Sequence, residues 1–132
     1  MKKSILILFS FIAICCSKNE VVQTTPSQTP TIIGNWTWIE SKGGIAPITY
    51  TPASTGKIII LTITANEVIE KTNGVITNTW AYSINTQNSI FGGSRQMLIF
   101  STRVNQSYEI IGNQLLLNDE CFDCLSNKFS RI

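Results

Sequence analysis

The sequence predicts an all-β fold: a small antiparallel up-and-down β-barrel of about eight strands, preceded by a signal peptide and a flexible tether. Three observations lead there. Between Ile32 and Ile132 no segment keeps a helical apolar period for three turns. The same stretch is rich in Thr, Ile, Val and Asn, and tight-turn signals cut it into short alternating runs. Consecutive hairpins of this kind leave two sheet edges exposed, and closing the sheet on itself removes both.

The chain has 132 residues, enough for one domain. It opens on Met1-Lys2-Lys3-Ser4 and an apolar run from Ile5 to Ile14, ending at Cys15-Cys16. A basic start, a short apolar core and a small-residue end form a signal peptide, and the run is short for a membrane span. The residues Ile14-Cys15-Cys16-Ser17-Lys18-Asn19-Glu20 resemble a bacterial lipoprotein signal. That resemblance implies cleavage before Cys16 and acylation of its thiol. Cys16 is preferred to Cys15 because polar Ser-Lys-Asn-Glu follows it at once. The alternatives are an ordinary cleaved signal or an uncleaved anchor. Cys-Ser-Lys-Asn-Glu is also similar to the tag that sends Bacteroidetes-type lipoproteins to the cell surface. Residues 1–15 are thus read as signal peptide, 16–31 as lipidated cysteine and linker, and 32–132 as the barrel domain. The linker carries Thr, Ser, Gln and Pro without apolar period, as a solvated spacer does.

Strands are expected near 34–41, 57–63, 67–72, 75–84, 95–101, 105–111, 114–118 and 127–132. Asn73-Gly74 and Gly112-Asn113 both read as two-residue type I′ turns. The second pairs Ile110 with Leu115 and Tyr108 with Leu117. The first pairs Thr72 with Val75, Lys71 with Ile76, Ile69 with Asn78 and Glu67 with Trp80. Even positions from Ile76 to Ile84 then face the core. A three-residue loop at Thr64-Ala65-Asn66 brings Leu61 opposite Ile69 and Ile63 opposite Glu67, which keeps Ile59, Leu61 and Ile63 inward. It also turns Glu67 and Lys71 inward, at a wet rim.

Composition excludes several kinds of function. Ten Lys and Arg stand against eight Asp and Glu. Lys2 and Lys3 leave with the signal, so the mature charge is balanced and offers no nucleic-acid footprint. Histidine is absent, which removes the commonest general base and the commonest metal ligand. No catalytic residues, cofactor or metal site are expected, and the chain is read as a non-enzyme.

Gly34-Asn35-Trp36 on the first strand, with Arg131 near the end of the last, resembles the lipocalin-like barrels of the calycin group. The wider layout, including Tyr108-x-Ile110-x-Gly112-Asn113-x-Leu115-x-Leu117, is similar to small lipocalin-like lipoproteins of Bacteroidetes. In that family the tryptophan closes one barrel end and the arginine packs over its indole, a favourable cation–π contact. The resemblance therefore implies a structural role for Gly34, Trp36 and Arg131.

Asp119-Glu120-Cys121-Phe122-Asp123-Cys124 joins the last two strands. With no second cysteine pair in the domain, a local Cys121–Cys124 disulfide is the reading for an exported protein. Gly92-Gly93-Ser94-Arg95 reads as a strand connection, since no lysine or helix follows to make a phosphate loop. The loop from Ser41 to Gly56 suits either a lid over a barrel end or a plain surface loop.

Two functions remain open. In the first, the barrel holds a small apolar or amphipathic ligand, lined by Leu61, Ile69, Trp80, Tyr82, Tyr108 and Leu117. In the second, the barrel is filled and presents its loops to a protein or glycan at the cell envelope. Both place it on the membrane through its N-terminal lipid, most simply at the outer membrane, with no nucleic-acid partner.

Overall fold

The computed structural model describes residues 31–46 and 48–132. Residues 1–30, which hold Cys16, and residue 47 lie outside the described residues. The strands are β1 (Gly34–Gly43), β2 (Ile48–Tyr50), β3 (Ile59–Ile63), β4 (Glu67–Thr72), β5 (Val75–Asn88), β6 (Ser94–Phe100), β7 (Gln106–Ile111), β8 (Gln114–Asp119) and β9 (Leu125–Arg131). All pair antiparallel in the order β2-β1-β3-β4-β5-β6-β7-β8-β9, and β1 also pairs with β9. That last pairing closes eight strands into a barrel and leaves β2 as an extra strand on the rim.

Local chemistry explains each element. β1 alternates Trp36 and Trp38 into the core. It then bulges between Trp38 and Glu40, and its far half pairs with β2 while its near half pairs with β3. The long Ser41–Gly56 connection is ordered by β2 and by a one-turn helix α1 (Pro52–Thr55). Thr51 caps that helix: its side chain accepts from Ser54 N at 3.2 Å and its N–H donates to Ser54 Oγ at 2.9 Å. Proline in the first turn and Gly56 at φ 67° after the last complete a start-and-stop signature. The Asn73-Gly74 turn has both residues at positive φ, as type I′ requires. At Gly112-Asn113 only Gly112 does, which makes it the II′ form rather than the expected I′.

Register around β4 differs from the sequence expectation. Ile63 faces Val68 and Leu61 faces Glu70. The turn is tighter than three residues, because Thr64 N–H donates to the Glu67 carbonyl at 2.9 Å and Thr64 Oγ1 accepts from Glu67 N at 3.0 Å. The one-residue parity step lies instead in β5. Thr72↔Val75 and Lys71↔Ile76 hold, but the ladder resumes at Glu70↔Asn78, leaving Thr77 as the bulged residue. Trp80 consequently meets Val68, not Glu67, and Ile69 meets Thr79. β3 and the Trp80-Tyr82 part of β5 keep their expected faces, while β4 is turned over. Glu67 is exposed and Val68 is buried. Ile76, beyond the bulge, is 58% exposed instead of core.

The interior is one apolar cluster: Ile32, Trp36, Trp38, Leu61, Ile63, Val68, Leu98, Phe100, Leu115, Leu117 and Phe129. Ile59, Trp80, Tyr82, Tyr108 and Ile110 pack against it while partly exposed.

Candidate functional site

One barrel end is sealed by the residues of β1 and β9. The Arg131 guanidinium carbon lies 4.1 Å from the centre of the fully buried Trp36 ring. Its nitrogens donate to the Ile33 carbonyl at 3.1 Å and to the Thr31 carbonyl. Trp36 Nε1 donates to the Ile32 carbonyl at 2.8 Å. Gly34 is required here: its φ is 145°, and a Cβ would lie 2.7 Å from Arg131 Nη1. These contacts are all internal, and they make Gly34, Trp36 and Arg131 a plug.

The interior residues named from sequence separate into three groups. Leu61 and Leu117 are sealed in the core. Ile69 lies opposite Thr62 and Thr79, on the face away from Val68, and so does not line the interior with the others. Trp80, Tyr82 and Tyr108 stand at the margin of the core, each tied to polar or aromatic partners. Trp80 meets Phe100 edge-on at 6.5 Å. Tyr82 OH donates to the Thr64 carbonyl at 2.6 Å, and Tyr108 OH bonds Gln96 Oε1. Burial raises the pKa of both phenols, with Tyr108 adding to the effect on Tyr82.

Sequence reasoning missed Arg103. It sits in the β6–β7 loop, where no periodicity applies. Its guanidinium lies 4.5 Å from the Trp80 ring centre and 5.0 Å from that of Phe100. It reaches Asp119 at 3.4 Å, and Gln106 Nε2 donates to the same carboxylate oxygen at 2.7 Å. A charged side chain thus caps the aromatic group at the core's edge, with its charge answered by Asp119.

Glu120 anchors the turn between β5 and β6. Its carboxylate accepts from Ser89 Oγ and from Ile90 N, both at 2.9 Å. Burial pushes its pKa up, but the nearby Ser107 hydroxyl, hydrogen bonds from Ile90 and Ser89 and the charge of Arg95 outweigh this and hold it below the ordinary value. Cys121 and Cys124 are disulfide-bonded with Cα atoms 5.6 Å apart. The loop they close presses on β1: a Cβ at Gly43 would lie 2.3 Å from the Cys124 carbonyl oxygen. Phe122, inside the loop, is 83% exposed. Among the described residues no three His, Cys, Asp or Glu side chains gather as metal ligands do.

The barrel wall has one thin seam. β6 and β7 pair only at Met97↔Ser107 and Leu98↔Gln106, whereas every other seam of the closed barrel has four or more residue pairs. Where the two strands part lies a cavity of about 350 Å³, lined by Arg95, Gln96, Ser107, Tyr108, Glu109, Ile110 and Asn118. Ser107 is 1% exposed. Its Oγ makes no hydrogen bond of ordinary geometry among the described residues, though it lies close enough to Glu120 to help hold that carboxylate ionised.

Compared with known proteins, the chain matches no family model, no curated sequence and no solved structure.

Proposed function

We propose that this protein is a membrane-tethered recognition module, in which a filled barrel is the scaffold and binding takes place on its wall and loops. The observation that supports this reading is the packing of the interior. Trp36, Leu61, Ile63, Leu98, Leu115 and Leu117 are almost fully buried and belong to one cluster. An interior packed in this way resembles the core of a small filled barrel rather than a ligand calyx. The tether is Cys16 and the linker after it. Several acyl chains, at about 0.8 kcal/mol per buried methylene, hold a domain at an envelope membrane, for which the outer membrane is the simplest site. On this reading Gly34, Trp36, Arg131 and the Cys121–Cys124 staple are structural, and the protein carries out no catalysis.

Native mass spectrometry before and after delipidation tests the filled interior. The expected result is a clean protein mass that takes up nothing from envelope extract. A small-molecule adduct that is lost on delipidation and regained from extract would restore the alternative, a barrel holding an apolar or amphipathic ligand. Cys16→Ala tests the tether: the variant should leave the membrane fraction, and undiminished retention would count against lipidation.

A further inference from the structure

We propose that the cavity between β6 and β7 is a peptide-binding site, in which a short extended segment continues the interrupted ladder. The inference rests on the surface-recognition reading above and gives it a location.

The strands themselves do not end where their pairing does. β6 runs three residues beyond Met97 to Ser94, and β7 runs four beyond Ser107 to Ile111, yet neither stretch pairs with the other. The cavity occupies that interval. The two-residue turn at Gly112-Asn113 makes Ile111↔Gln114 a hydrogen-bonded pair, so by alternation Glu109 and Ser107 also bond to β8. The backbone groups of Tyr108 and Ile110 therefore point toward β6, into the gap. An extended peptide matches such an edge, because main-chain hydrogen bonds supply affinity and alternate side chains supply selectivity.

The side chains fit the same occupant. Extending the Met97↔Ser107 register places Gln96 beside Tyr108 and Arg95 beside Glu109. The Tyr108–Gln96 hydrogen bond agrees with that register. Arg95 and Glu109 face each other across the gap, but among the described residues neither is in an ion pair. Because they lie at one level of the gap they cannot hold both ends of an extended segment; the Glu109 carboxylate suits its ammonium terminus, and the Arg95 guanidinium a carbonyl or side chain beside it. Asn118 adds an amide that both donates and accepts, and Gln96, whose Oε1 accepts from Tyr108, adds the donors of its NH2 group. The buried Ser107 hydroxyl at the margin of the cavity is a further polar group without a partner of ordinary geometry.

The test is residue-resolved NMR of the full chain in detergent, titrated with trialanine, and separately with glucose and with palmitate. Trialanine should shift the amides of Arg95, Gln96 and Tyr108 to Ile110, and should slow hydrogen exchange at Tyr108 and Ile110. A ligand held by side chains alone would leave that exchange unchanged. Glu109→Gln should weaken binding about tenfold while leaving the fold intact, since among the described residues Glu109 is in no ion pair. No shift at the seam at about 10 mM trialanine, a concentration that detects even millimolar binding, would overturn the inference. Shifts produced equally by glucose would overturn it too, in favour of a polyol site. Shifts of core groups such as Leu61 and Leu117 with palmitate would instead sink the filled-barrel reading, which keeps the two failures apart.

Discussion

The β1–β9 seam and the β6–β7 seam do the same topological task with opposite chemistry. β1 and β9 stay paired over seven positions, through a bulge, and Trp36, Phe129 and Arg131 back them from inside. β6 and β7 share two pairs and then separate around a polar cavity. The first seam joins the two ends of the domain, so closure depends on it. The second lies mid-chain, between strands already held by their other neighbours through seven and six residue pairs. A barrel tolerates a gap at that place because the hairpins on either side are complete. The difference separates the seam that closes the barrel from one that leaves backbone groups of its strands unpaired.

Substitutions sharpen that contrast. Trp36→Ala removes the largest fully buried side chain and the platform under Arg131, and should cost about 3–5 kcal/mol in denaturant unfolding. Loss below about 1 kcal/mol would mean the plug is not what holds the closure. Next comes the β4 register. Val68→Ala should cost about 1–3 kcal/mol, and Ile69→Ala under half as much, because only Val68 is sealed in the core. The reverse order would restore the register that places Ile69 inward.

The smallest effect concerns the turn held by Glu120. Its folded pKa lies below the ordinary 4.5, so its contribution is complete above the unfolded value and fades as pH falls through the lowered folded value. Acidification from about pH 5 downward should therefore lower the protection of the Ile90 amide, its exchange relative to the intrinsic rate at the same pH, because its N–H donates to Glu120. Glu120→Gln should show low protection at Ile90 already at neutral pH, with no further loss on acidification. Protection at Ile90 independent of both pH and the substitution would remove Glu120 as the anchor.

Much of this architecture is legible in the residues, and what is hidden has local causes. The Tyr108–Leu117 hairpin is readable because Gly112 fixes its register and no bulge follows. β4 is not, because a bulge at Thr77 and a longer loop at Ala65 both move parity by one, and sequence does not distinguish them. Either choice leaves Leu61, Ile63, Trp80 and Tyr82 inward, so the outcome at those four positions conceals which was right. α1 had a visible signature in Thr51-Pro52-Ala53-Ser54 and Gly56, but four residues bury nothing and create no period. Arg103 and the β6–β7 gap arise from tertiary geometry: one is a loop residue folded over Trp80, the other a divergence of two strands that each look ordinary alone.

The contrast between the two seams is tested most directly by residue-resolved amide hydrogen exchange on the full chain without added peptide. Trp36, Leu115 and Leu117 should be protected to the level of global unfolding, while Tyr108 and Ile110 exchange faster than their neighbours Glu109 and Ile111. Protection at Tyr108 and Ile110 equal to that at Trp36 would contradict the account, since it would mean that the β6–β7 ladder is closed and the wall offers no edge to bind.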